Sequence, residues 1–147
     1  MFGIYDDHGI RFEYPPEWVL DVADEGTRTT ISVQSPSGLA FAMVSVDADR
    51  PPPATMVDEA LGAMKEEYPE LELMPAIEEI DGHKAVGHDL EFISLDVLNG
   101  CAIRSFRTKR RTILVFGQWS EVDDEVEPTD SEALIQAMRR TLEETDA

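Results

Sequence analysis

The chain has 147 residues, one domain's length, with 42% apolar residues and 31 acidic against 12 basic ones, a formal charge of −19. Patterned apolar content on this scale supports a core and excludes a disordered chain, while the acid excess excludes a nucleic-acid surface, which needs clustered Lys and Arg. The longest apolar runs, residues 39–46 and 112–116, are far short of the ~20 residues of a bilayer span, so no membrane insertion is expected.

Asp6, Asp7 and Arg11 interrupt the region where a signal peptide would sit, and the single Cys101 excludes an internal disulfide framework. A reducing, cytoplasmic setting is the expectation. No stretch reads as an interdomain linker, so residues 1–147 are expected to form one domain.

Strands open the chain. Residues 2–5 precede a polar corner, Asp6-Asp7-His8-Gly9, and Ile10, Phe12 and Tyr14 then alternate with Arg11 and Glu13. Pro15 and Pro16 end that strand because neither can donate to a ladder. Trp18 follows at once, large enough to plug one end of a core. Residues 19–23 are extended, Glu25-Gly26 marks a turn, and residues 29–34 are β-branched and alternating. The turn chemistry of Ser35-Pro36-Ser37-Gly38 leads into a strand over 39–46.

The Pro51-Pro52-Pro53 run is a stiff approach to a helix capped by Thr55, with Asp58 three residues on. Val57, Ala60, Leu61, Met64 and Tyr68 share one face, and Pro69 stops the helix. Strands are then expected over 72–80, 84–93, 101–108 and 111–119, with Asp81-Gly82 and Asn99-Gly100 as hairpin turns. A second helix starts at Thr129, where Glu132 completes a capping box. Leu134, Ala137, Met138 and Leu142 form its stripe, and Arg139 and Arg140 lie near its C-terminal end.

Residues 39–46 and 112–116 are apolar on both parities, so those strands are covered on both faces. Two helices and many strands then predict an α+β fold, a three-layer αβα sandwich around a twisted antiparallel sheet.

Residues Ile10-Arg11-Phe12-Glu13-Tyr14-Pro15-Pro16-Glu17-Trp18 resemble the Phe-x-Tyr-Pro-x-x-Trp opening of the PsbP-like superfamily. The order that follows also matches: two short strands, a mid-chain helix, a Gly-headed strand at Asp81-Gly82-His83-Lys84-Ala85, a long meander and a C-terminal helix. The resemblance implies an antiparallel αβα sandwich that works by binding other proteins, usually without catalysis. It carries over no functional residue.

Chemistry-bearing constellations are sparse. Cys101 reads as a small buried thiol and His88 as a core histidine on the Val86, Leu90, Phe92 face. Asp89 and Glu91 mark a polar sheet edge. Three scattered histidines and one cysteine give no zinc spacing, and the six carboxylates within 121–130 lack the order of a calcium loop. No nucleophile elbow, Walker loop or dinucleotide fingerprint occurs. No catalytic residue, metal ligand or cofactor is therefore nominated, and no enzyme is expected.

One feature departs from the acidic background. Arg104, Arg107, Lys109, Arg110 and Arg111 supply five of the twelve cations, and the last four cluster at a hairpin tip. Either they neutralise the acidic 121–130 stretch, or Arg107, Lys109, Arg110 and Arg111 recognise an acidic or phosphorylated partner. The functional expectation is a non-catalytic protein-interaction or chaperone-like adaptor module with a protein partner, itself a monomer or weak dimer. The alternative is a binding module for a small apolar ligand between helix and sheet, lined by Met43, Met56, Met64 and Met74.

Overall fold

A computed structural model describes residues 1–120 and 131–145. In chain order the elements are β1 (Gly3–Asp7), β2 (Ile10–Tyr14), β3 (Val19–Glu25), β4 (Arg28–Gln34), β5 (Phe41–Asp47), α1 (Pro53–Glu67), β6 (Glu72–Ile80), β7 (His83–Ser94), β8 (Val97–Arg107), β9 (Thr112–Ser120), α2 (Ser131–Thr141) and β10 (Glu143–Glu144). Seven strands form one antiparallel sheet in the order β3-β4-β5-β9-β8-β7-β6. The chain builds half the sheet as the β3–β5 meander. It then crosses by α1 to the far edge and meanders back until β9 closes against β5. β1, β2 and β10 form a separate three-stranded sheet.

Side-chain parity assigns the layers. On one face Leu90, Phe92, Cys101, Ile103, Leu114 and Phe116 pack against Met56, Val57, Leu61 and Met64 of α1. On the other, Ile31, Val33, Val44, Val46, Phe106, Ile113 and Val115 pack against Ile135, Met138 and Leu142, together with Ile10, Phe12 and Trp18. The architecture is the expected α+β three-layer sandwich around a twisted antiparallel sheet. Its second outer layer is mixed, because the β1-β2-β10 sheet shares it with α2. Trp18 is 4% exposed, and its amide donates to the Pro15 carbonyl at 3.0 Å, closing the turn after β2.

Several local expectations are corrected. Asn99-Gly100 is not a turn: both residues lie inside β8, and the β7–β8 hairpin turns at Leu95-Asp96, with φ of +52° and +63°. Two consecutive left-handed residues make the two-residue turn that matches strand twist. Gly100 serves a different purpose: it pairs across the ladder with Trp119, whose indole lies where a Cβ would stand, 2.5 Å from its Nε1. Cys101 consequently sits within β8 and does not begin it. Thr55 is not the cap of α1. The helix starts at Pro53 after Pro52, without a side-chain cap, because Pro at the first helical position lacks an N–H that would need one. Thr129 lies outside the described residues, and within α2 the buried stripe includes Ile135, whose methyl fills the space left by Gly117.

Candidate functional site

Cys101 pairs with Leu90, and His88 pairs with Ile103 one step along the same face. No hydrogen bond joins the two side chains. Cys101 is 1% exposed, and desolvation by burial pushes its thiol up, away from the thiolate that a nucleophile requires. His88 Nδ1 is buried without a hydrogen-bond partner. Among the described residues no group of three or more His, Cys, Asp or Glu side chains could hold a metal ion.

The Arg104 guanidinium turns inward. Nε donates to Glu78 at 2.7 Å, Nη2 to Asp89 at 2.7 Å, and Nη1 to the His88 and Ile103 carbonyls at 3.1 and 3.0 Å. Glu78 also accepts from Arg139 Nε at 3.0 Å. This network ties β6, β7, β8 and α2 together, and it explains why Asp89 sits on a strand: it is an Arg104 acceptor. Glu91, two residues on, stands exposed opposite Glu72.

The hairpin tip is built by Thr108. Its hydroxyl oxygen accepts the amides of Arg110 and Arg111, each at 3.1 Å, while the Thr108 amide donates to the Arg111 carbonyl at 2.8 Å. Arg111 lies over Gly9, whose φ of +80° and missing Cβ leave room for the guanidinium, and it donates to the Gly9 carbonyl at 2.8 Å and to Glu144 at 2.9 Å. Arg107 donates to the Arg50 carbonyl at 3.3 Å and Arg110 to the Thr145 carbonyl at 3.4 Å, while Lys109 is exposed. The acidic 121–130 stretch lies outside the described residues. Within them, the carboxylate that meets Arg111 belongs to Glu144. Arg50, left-handed at φ +54° and donating to the Thr108 carbonyl at 2.9 Å, joins this end of the molecule as well. Neither it nor Glu144 stood out in the sequence, because both lie far along the chain from the Arg107–Arg111 run.

The opposite end of β8 is apolar. Leu95, exposed by 95%, stands there with Ile93 and Leu98 around the β7–β8 turn, and exposed apolar residues continue along edge strand β6 from Leu73 and Met74 to Ile77, which is 65% exposed and level with Val86 and Ser105. α1 does not reach over β6, leaving a groove of about 310 Å³ lined by Val57, Pro75, Ile77, Val86 and His88. A second concavity, about 490 Å³, opens where the β7–β8 hairpin runs past the start of β6. Tyr68, Leu71, Phe92, Ile93 and Leu98 line it, and Glu67, Glu70, Glu72 and Glu91 rim it. The Tyr68 and Phe92 rings stack there at 4.0 Å. By contrast, the space between α2 and the sheet is only about 10 Å³.

No protein-family model and no curated protein sequence matches the chain. Solved structures do. A protein from Bacteroides thetaiotaomicron matches at a TM-score of 0.57 with 11% identity over 94% of this chain, which spans 46% of that protein. Cyanobacterial PsbP (CyanoP) from Synechocystis matches at 0.60 with 12% identity, covering 97% of this chain and 92% of that one. LpqN of Mycobacterium tuberculosis, a protein involved in cell envelope biogenesis, matches at 0.56 with 12% identity over 99% and 91%. These likenesses agree with the Phe12-x-Tyr14-Pro15-x-x-Trp18 corner and the order of elements: the chain has a PsbP-like fold.

Proposed function

We propose that the protein is a non-catalytic protein-interaction module, of the adaptor or chaperone-like kind, and that it contacts its partner through the uncovered β6–β8 end of the sheet. The observation that carries this reading is apolar exposure over a filled interior: Leu73 and Ile77 stand on the α1 side of β6, Met74, Ile93 and Leu98 on the other side, and Leu95 at the tight turn, so exposed apolar side chains wrap this margin of the sheet. Clustered apolar surface of this kind marks interaction sites more often than isolated exposed side chains do. The glutamate rim of the larger concavity favours a partner whose apolar side chains are flanked by Lys or Arg. Pro75 lies in edge strand β6 and offers no amide there, so contact through side chains is favoured over strand addition.

The small-ligand alternative has less support. Met56 and Met64 are packed in the core beneath α1, whereas Met74 projects from the opposite face of β6 and is exposed. A cytoplasmic setting accompanies the proposal, since a fold with one buried cysteine takes no stability from an internal disulfide.

The test compares native-extract capture by the wild type and by Ile77→Asp/Ile93→Asp, with melting temperature as the folding control. A stoichiometric protein retained by the wild type and lost by an equally stable variant is expected. Equal retention by both, or a small apolar molecule carried by the wild type in native mass spectrometry, would overturn the reading.

A further inference from the structure

The C-terminal segment is seated as a peptide in a site that the basic tip builds. β10 is two residues long and pairs only with Arg11 and Ile10 of β2, far less ladder than a strand needs for independent stability. Its contacts are nevertheless specific. The Glu144 carboxylate accepts from Arg111 Nη1 at 2.9 Å and from the Thr108 hydroxyl at 2.6 Å. The Glu144 amide donates to Asp81 at 2.8 Å and the Thr145 amide to the Gly9 carbonyl at 2.8 Å, while Glu143 lies 3.7 Å from Arg11.

The receptor half is fixed without this occupant. Arg111 is held by the Gly9 carbonyl, and Thr108 by the amides of its own turn. A preorganised arginine and hydroxyl converging on one carboxylate, beside a strand edge, the Gly9 carbonyl and the Asp81 carboxylate that accept the peptide's amides, is a recognition site for an extended acidic peptide. We propose that the Thr108–Arg111 tip, the Gly9 corner and the edge of β2 form a binding site for an extended, glutamate-containing peptide, and that β10 occupies it in cis. The exposed Arg107 and Lys109 add attraction for further acidic residues. The site shares no residue with the apolar β6–β8 surface, so its failure would leave the preceding proposal standing.

An intramolecular occupant competes at high effective concentration, so the wild type is expected to bind such a peptide weakly in trans. The probe is a fluorescein-labelled peptide of the sequence Thr-Leu-Glu-Glu-Thr, read by anisotropy against the full chain. Glu143→Ala/Glu144→Ala, which weakens the cis occupant and leaves the site intact, should bind it about tenfold or more tightly than the wild type. Adding Arg111→Ala should abolish the gain, and a Gln-Gln version of the peptide should not bind. Hydrogen exchange on the unaltered wild type gives a readout that needs no variant to fold: excess peptide should speed exchange at the Glu144 and Thr145 amides. Equal affinity in wild type and double variant, binding that survives Arg111→Ala, or strap amides unmoved by excess peptide would overturn the proposal.

Discussion

Truncating Arg104 to Ala removes a guanidinium that is 5% exposed and that serves two carboxylates and two carbonyls on three strands. Removing one member of a buried ion pair costs about 3–5 kcal/mol, because its partner is left uncompensated. Here the low end applies: Glu78 keeps Arg139, and the Asp89 side chain is 52% exposed and can turn to water. Arg104→Ala should therefore cost about 3 kcal/mol, and Glu78→Ala a similar amount, since it strands Arg104 and Arg139 together. Asp89→Ala, at an exposed acceptor, should cost less than about 1 kcal/mol. Arg104→Lys should recover only part of the loss, because an ammonium cannot span the same four acceptors. Urea titration with an unchanged slope measures the series. At a slope of about 2 kcal/mol/M, Arg104→Ala shifts the midpoint down by about 1.5 M. The reasoning fails if Arg104→Ala stays near wild type, or if Asp89→Ala costs as much as Glu78→Ala.

Other outcomes follow from the same geometry. Trp18→Ala should cost about 3–5 kcal/mol by opening a cavity at the end of the core; a urea midpoint near wild type would refute its closing role. Gly100→Ala should cost about 1–2 kcal/mol and shift indole fluorescence, as the new methyl displaces the half-buried Trp119 ring. The Cys101 thiol is raised above its ordinary 9.0 and Tyr5 is raised to about 12, both chiefly by burial, so the fold keeps both groups protonated where the unfolded chain ionises. Stability is therefore full below pH 9 and falls as pH rises through the unfolded values, by about 1.4 kcal/mol per unit for each group titrating. Melting temperatures from pH 8 upward should drop less steeply for Cys101→Ala, and native Cys101 should resist iodoacetamide until the chain unfolds.

Strand and helix patterning carried most of the fold. The two-sided apolar strands became the β5 and β9 centre of the sheet, and Trp18 plugged the core beside Pro15-Pro16 as its position implied. Errors arose where one residue type serves two physical ends. Gly100 imitated turn chemistry but is a seat for Trp119, whereas the true turn uses Leu95-Asp96, a glycine-free pair whose leucine is unusual at a positive φ. Thr55 imitated a cap that Pro53 makes unnecessary. The candidate sites were less legible because they are assembled across distance. Glu144 meets Arg111 from 33 residues away, and the exposure of Ile77 depends on how far α1 reaches across the sheet. Neither quantity is encoded in a local pattern. Arg104 illustrates both limits at once: counted in the sequence with the basic run though not with its tip, it belongs to a buried network with Glu78 and Asp89.

The claim of a protein-binding face at β6–β8 is tested most directly by a hydrogen-exchange footprint of the complex formed with the captured partner. Slowed exchange should concentrate in residues 72–80 and 92–98, with the interior under α1 unchanged. A footprint confined to α1 and the strands beneath it, or one absent from both segments, would contradict it.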